Sequence, residues 1–197
     1  MRRTTICLIM LVLIASPAFA QAPSGVPVFQ ITPVRSTIKF DVEASVAIQG
    51  TFDKWEAALT FSSPEAESAV FDVKIYADSV DTGSSIKNNK LKSGDFFDVK
   101  NNPYITFKST KVVQTGPNTF ELDGNFTIRG VTKPEKLALT ISGKGTGSGT
   151  ISGTMAFDRK QYGMNSGIPF IKIADRVQVT VSLLGKRIAG PPVVFKQ

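Results

Sequence analysis

Few side chains in this chain of 197 residues could do covalent or metal chemistry, and those few are badly spaced for it. There is no histidine, and the only cysteine is Cys7. Ser-x-x-Lys occurs at Ser36/Lys39 and at Ser84/Lys87, a spacing seen in hydroxyl nucleophiles activated by an amine. On a strand, positions three apart face opposite sides, so Ser36 and Lys39 do not meet. Ser84 and Lys87 would meet on a helix, but no Lys-Thr-Gly or Ser-Asp-Asn partner accompanies them. Gly145-Thr146-Gly147-Ser148-Gly149 has the composition of a phosphate loop. Such a loop must open a helix whose amides point at the anion, and a strand pattern follows here, so a hairpin is expected. Asp81, Asp95 and Asp98 lack an EF-hand spacing and suit turns and caps. No nucleophile, base and orienting group can be assembled, so the sequence points to binding, not catalysis, and to no metal or cofactor.

The elements that would position a binding site are strands. Ile38, Phe40 and Val42 share one parity against Lys39, Asp41 and Glu43. The alternation returns at Trp55-Ala57-Leu59-Phe61, Phe71-Val73-Ile75, Phe120-Leu122-Phe126-Ile128, Leu137-Leu139-Ile141 and Val177-Val179-Val181-Leu183. Each run is a half-buried strand with one apolar face. Strands are expected near 28–34, 36–49, 51–62, 68–78, 103–114, 118–129, 134–144, 148–158 and 173–187, joined by turns short enough to make neighbours antiparallel. The connection 79–102 is the exception, with one short helix over Ser84 to Lys92 capped by Ser84 or Ser85. About eight such strands either stack as two sheets or close into a barrel, and closure removes exposed edges. Gly143, Gly145, Gly147, Gly149 and Gly153 share the parity of Ile151, Met155 and Phe157, which leaves room inside or sharpens curvature.

The beginning of the chain carries an address. Arg2 and Arg3 precede an apolar run from Ile6 to Ile14, and Ala18-Phe19-Ala20 is a small-x-small cleavage site. The run is short of the ~20 residues that span a bilayer. Cys7 lies inside the signal, not just after the cleavage site, which argues against lipid anchoring. The expectation is a signal peptide at 1–20, a flexible lead-in at 21–27, one domain at 28–188 and a tail at 189–197 that Gly190-Pro191-Pro192 separates from the last strand. The mature protein would be periplasmic, without cysteine and without a stable membrane anchor. Its formal charge of +7 falls to +5 when Arg2 and Arg3 leave. The lysines are spread along outward faces, so nucleic acid is not the expected partner.

The most specific stretch is Leu91-Lys92-Ser93-Gly94-Asp95-Phe96-Phe97-Asp98-Val99, where adjacent phenylalanines fit neither period and at least one should plug something. Asn102-Pro103-Tyr104-Ile105-Thr106-Phe107-Lys108-Ser109-Thr110 follows, then Gly124-Asn125-Phe126-Thr127-Ile128-Arg129-Gly130-Val131-Thr132-Lys133-Pro134, then Phe157-Asp158-Arg159-Lys160-Gln161-Tyr162-Gly163-Met164 and Asp175-Arg176-Val177. With Ser36-x-x-x-Phe40-x-Val42 and Gly50-x-Phe52 at the front, these blocks resemble the YceI-like family of secreted polyisoprenoid- and lipid-binding proteins, from about Phe29 to Gly185. The resemblance implies an all-β, antiparallel, lipocalin-like barrel around a long apolar tunnel. It also implies a bound isoprenoid, isoprenoid quinone or fatty-acid derivative instead of a reaction. Two positions depart from the family, which often has His where this chain has Arg35 and Ala44.

The residues expected to line such a tunnel are Ile38, Phe40, Val42, Trp55, Leu59, Phe71, Val73, Ile75, Phe96, Phe97, Phe107, Phe126, Ile128, Leu139, Ile141, Met155 and Phe157. Arg129, Lys133 and Arg159 fall at strand ends, where they would either meet a lipid head group or tie loops to nearby aspartates. A second function class stays open: an exported stress-related module with a filled barrel that acts through surface contacts with other proteins. A homodimer is also left open.

Overall fold

The computed structural model describes residues 25–45, 48–167 and 171–197; the expected export signal and its cleavage site lie outside them. Ten strands form one antiparallel sheet: β1 (Val28–Ala44), β2 (Ile48–Phe52), β3 (Trp55–Phe61), β4 (Ala69–Tyr76), β5 (Val80–Asp81), β6 (Tyr104–Gln114), β7 (Thr119–Ile128), β8 (Val131–Ile141), β9 (Ser148–Asp158) and β10 (Ile173–Ala189). The helix α1 spans Ser85–Lys92 in the long connection, preceded by Ser84, whose side chain makes no capping bond.

The strand expected at 51–62 is broken at Asp53-Lys54 into β2 and β3, and the one at 68–78 is followed by a 3-10 turn and β5. β5 pairs with β2 while β4 pairs with β3, so the ten segments, two of them continuations, act as eight strands. Two main-chain bonds keep the breaks in step: Asp53 N–H donates to Ser79 O at 3.1 Å, and Tyr76 N–H donates to Lys54 O at 3.0 Å. Conversely, the two strands expected at 28–34 and 36–49 are one, β1, with its register shifted between Thr32 and Thr37. Arg35 takes φ 63° inside that bulge. Ser36 is spent there too, donating to Thr32 O and accepting from Leu184 N–H at 2.8 Å.

The sheet curls on itself. Ladders run from β3 through β10 to β1, and β1 pairs with β2 over Lys39–Thr51 to Val42–Ile48. Among the described residues no ladder joins the first half of β1 to β3. Side chains close that seam, with Phe29 and Phe61 ring centres 5.8 Å apart. The tightest hairpin is Arg129-Gly130 between β7 and β8, with φ of 54° and 73° at its two residues. These left-handed angles match the turn to the strand twist. Gly143, Gly145 and Gly147 lie in the β8–β9 turn with positive φ, not on a strand as their parity suggested. Only Gly149 and Gly153 belong to β9.

The tail does not leave the barrel. After β10 the chain turns at Gly190 and returns across the end opposite α1 as a strap. Val194 N–H donates to Pro64 O and Ala66 N–H to Val194 O, both at 2.8 Å. Phe195 packs against Phe120 at 6.2 Å, and the Lys144 ammonium lies 3.9 Å from the Phe195 ring centre. Lys196 pairs with Glu67 at 2.5 Å and, above all other neighbours, holds that carboxyl below the usual range. A lowered carboxyl pKa contributes to stability above the unfolded value, and the contribution is lost as pH falls through the folded one. Acidification below the ordinary carboxylate range should therefore lower the protection of the Val194 and Ala66 amides, measured against their intrinsic exchange rates at the same pH, before the barrel opens. Phe195→Ala should lower the protection of the same two amides at neutral pH. Unchanged protection in both experiments would mean that the main-chain pairs alone hold the strap.

Candidate functional site

The inward side chains do not line one continuous tunnel. They form two apolar chambers with a packed waist between them, and several long strands pass through all three zones. On β1, Phe29 faces the upper chamber under the strap, Ile38 is fully buried in the waist, and Phe40 and Val42 face the lower chamber beside α1. β4 repeats the order as Phe71, Val73 and Ile75, and β6 as Val112, Phe107 and Ile105. β9 does so as Ile151, Met155 and Phe157.

At the waist, glycines stand beside large side chains of the neighbouring strands. A Cβ on Gly124 would fall 2.5 Å from the Phe107 ring. One on Gly153 would collide with Leu139 and sit 3.0 Å from Val181. Absence of those methyl groups lets the Phe107 ring lie over Gly124 and the Leu139 side chain over Gly153. The expected tunnel lining thus divides. Phe40, Val42, Ile75, Phe96, Phe97, Phe126, Ile128 and Phe157 line the lower chamber, whereas Leu59, Phe71, Leu139 and Ile141 line the upper one. Ile38, Trp55, Val73, Phe107 and Met155 line neither.

The upper chamber holds about 170 Å³ and the lower about 550 Å³. Only the lower falls in the range of roughly 300–1,000 Å³ typical of ligand sites. Both adjacent phenylalanines of the 91–99 block turn inward to wall it. Phe97 meets Phe40 edge-on at 6.4 Å and Phe52 at 6.0 Å. Several lining residues were not picked out from sequence: Ile48, Phe52, Ile105, Met164, Ile173 and the α1 residue Ile86. Phe52 and Met164 stand in quoted sequence blocks, but nothing in the pattern around Ile86 marked it.

Among the described residues, few polar side chains line the chamber. They are Ser84, Lys87, Lys90 and Arg159. Lys90 pairs with Asp95 at 2.5 Å, and the Asp95 carboxylate also accepts from Ser166 Oγ at 3.1 Å. Lys90 first and Ser166 second hold that carboxyl below the usual range. Arg159 is 6% exposed and its donors are turned to the chain: Nε to Ala174 O at 3.1 Å, Nη1 to Ser166 O at 3.0 Å and to Met164 O, Nη2 to Asp175 at 3.2 Å. Arg129 Nη1 donates to Gly163 O at 2.8 Å and more distantly to Asp95 O. Lys133, half-buried opposite Phe126 on β7, lines neither chamber. Ala44 pairs with Ile173, which lines the lower chamber, and Arg35 is exposed on the bulge.

Tyr162 keeps the lower chamber closed on one side. β8 and β9 pair only from Ala138 to Ile141, so they part below that point. Tyr162, fully buried, packs against Phe126 at 5.5 Å and Phe157 at 5.2 Å. Its hydroxyl donates to Glu135 on β8 at 2.8 Å. Burial first, and Glu135 second, push the phenol well above its usual range, so it remains a donor at any physiological pH. Tyr162→Phe should cost about 1–2 kcal/mol, a drop of a few degrees in melting temperature. A melting temperature equal to wild type would show that ring packing alone bridges the strands.

Among the described residues no cluster of three or more His, Cys, Asp or Glu side chains could hold a metal ion, and no helix is long and apolar enough to cross a membrane. Comparison with solved structures returns barrels of this kind. BcnA of Burkholderia cenocepacia superimposes with a TM-score of 0.71 at 24% identity, over 79% of this chain and 99% of that one. A Campylobacter jejuni YceI protein gives 0.60 at 25% identity, over 71% and 85%. A domain from Saccharophagus degradans, described as polyisoprenoid binding and implicated in plant cell wall breakdown, gives 0.66 at 14% identity, over 82% and 99%. Among curated relatives, UPF0312 proteins of Azotobacter vinelandii and Pseudomonas aeruginosa are 34% and 35% identical over 98 residues, 50% of this chain. The chain thus spans about half the length, 51%, of the curated relatives it matches. The family model described as YceI-like domain matches residues 29–184, from the ring of Phe29 at the seam to Leu184 on β10, and the chain therefore belongs to the YceI-like family.

Proposed function

We propose that the protein binds one long-chain amphiphilic lipid, of isoprenoid type, with its tail in the lower chamber, and shields it from water in the periplasm after export. The observation that carries this reading is the chamber itself: about 550 Å³ and, among the described residues, lined by apolar side chains apart from Ser84, Lys87, Lys90 and Arg159. A prenyl or acyl chain in water costs about 0.8 kcal/mol for each exposed CH₂, so ten buried methylenes contribute on the order of 8 kcal/mol before immobilisation costs. The Saccharophagus domain's description supports the ligand class. The waist adds a limit on length, because Phe107 and Met155 stop a chain that enters beside α1. The head group stays at the rim.

One preparation tests both halves of the proposal. The protein is purified from the periplasm of its own cells, its intact mass is measured, and its organic extract is analysed by mass spectrometry. A mass that starts at Gln21 and a stoichiometric isoprenoid are the expected results. A retained Met1 would sink the export reading, and an extract without any long-chain lipid would sink the ligand reading.

A further inference from the structure

A lipid in the lower chamber must come from a bilayer, and one element stands at the chamber's rim with the surface chemistry to meet one. Resting on the lipid reading above, we propose that α1 is the face with which the protein docks on an anionic membrane to take up or release its ligand. The helix Ser85–Lys92 carries Lys87, Lys90 and Lys92 and no acidic residue. Its Ile86 is 81% exposed, the most exposed large apolar side chain among the described residues. Ile86 also lines the chamber, together with Ser84, Lys87 and Lys90. An apolar side chain left in water at the rim of an apolar cavity, flanked by ammonium groups, is complementary to acyl chains beneath anionic head groups.

The neighbouring charges limit the attraction but do not reverse it. Asp95 takes up Lys90 at 2.5 Å. Asp81, which accepts from Gly83 N–H and Asn88 Nδ2, keeps its negative charge and offsets part of the charge of Lys92, so the excess positive charge of the helix is small. The only other apolar residue of the helix, Leu91, is buried against the chamber. The contact is therefore a single wedge within a basic rim and not an embedded helix face. A lone apolar anchor gives marginal, reversible binding, as a carrier that must leave again requires.

The test is co-flotation of the full mature protein with vesicles of phosphatidylcholine alone or mixed with phosphatidylglycerol. In parallel, a fluorescent isoprenoid is titrated in solution without vesicles. Wild type should float with the mixed vesicles, less so as salt rises, and not with the neutral ones. Ile86→Asp should lower partition onto mixed vesicles roughly tenfold, the factor that 1.4 kcal/mol represents. Asn89→Glu combined with Lys92→Glu, both off the chamber lining, should lower it similarly and leave the solution titration unchanged. Flotation that is absent in wild type, indifferent to both variants, or equal on neutral vesicles overturns the docking proposal even where the isoprenoid binds in solution. Failure of the isoprenoid to bind wild type in solution overturns the cavity reading instead, and the transfer role with it.

Discussion

Ile75→Trp combined with Val179→Trp should lower affinity for an isoprenoid about a hundredfold, whereas Ile141→Trp should leave it within about twofold. Ile75 on β4 and Val179 on β10 both line the lower chamber. Two indoles in that space displace roughly three to four methylenes of the ligand. At about 0.8 kcal/mol each, the loss is near 3 kcal/mol, or two orders of magnitude in Kd. Overpacking costs are small where the added rings enter a void instead of a filled core. Ile141 looks from sequence like part of the same lining, but the structure puts it under the strap, across the waist. Titration of one isoprenoid against the three proteins, each checked for an unchanged melting temperature, separates the chambers. Equal losses from Ile141→Trp and the double variant would mean that the waist opens and the chambers act as one tunnel.

That division shows where the alternation of residues stops being informative. Period two places Phe71, Val73 and Ile75 on one face and is right to do so. Whether a given inward side chain fills the middle or borders a void depends on its neighbours on other strands, such as Gly124 beside Phe107 and Gly153 beside Leu139, which alternation within one strand does not carry. The breaks in the sheet were more legible than they first look. Apolar residues hold even positions at Ile48 and Phe52 and odd ones from Trp55 to Phe61, and the phase slips where Asp53-Lys54 kinks the chain. The same slip, from Phe29 and Ile31 to Ile38 and Phe40, marks the Arg35 bulge inside what is one strand. The strap left no such trace. Val193 and Phe195 follow two prolines that read as an ending, and only the distant Pro64, Phe120 and Lys144 give them a place.

Arg159→Ala should cost about 3–5 kcal/mol and lower the melting temperature by roughly 10 °C. Sequence placed this arginine at a strand end, free either to meet a head group or to tie loops. The guanidinium takes the second role, joining the 3-10 turn Arg159–Tyr162 to the start of β10 through Ala174 O and Asp175, and to the connecting segment through Met164 O and Ser166 O. Its truncation strands three carbonyls and half of the Asp175 carboxylate, which keeps only Lys160 at 2.9 Å. Arg159→Lys should recover little, because one ammonium cannot serve acceptors that lie around a planar fork. Met164 and Ile173, which wall the lower chamber, are fixed by this same set of bonds. Binding should therefore weaken in both variants by the same factor for a neutral and an anionic isoprenoid of equal length. A loss confined to the anionic ligand, with the melting temperature of Arg159→Ala unchanged, would return the arginine to the head group and leave the wall to be held by packing alone.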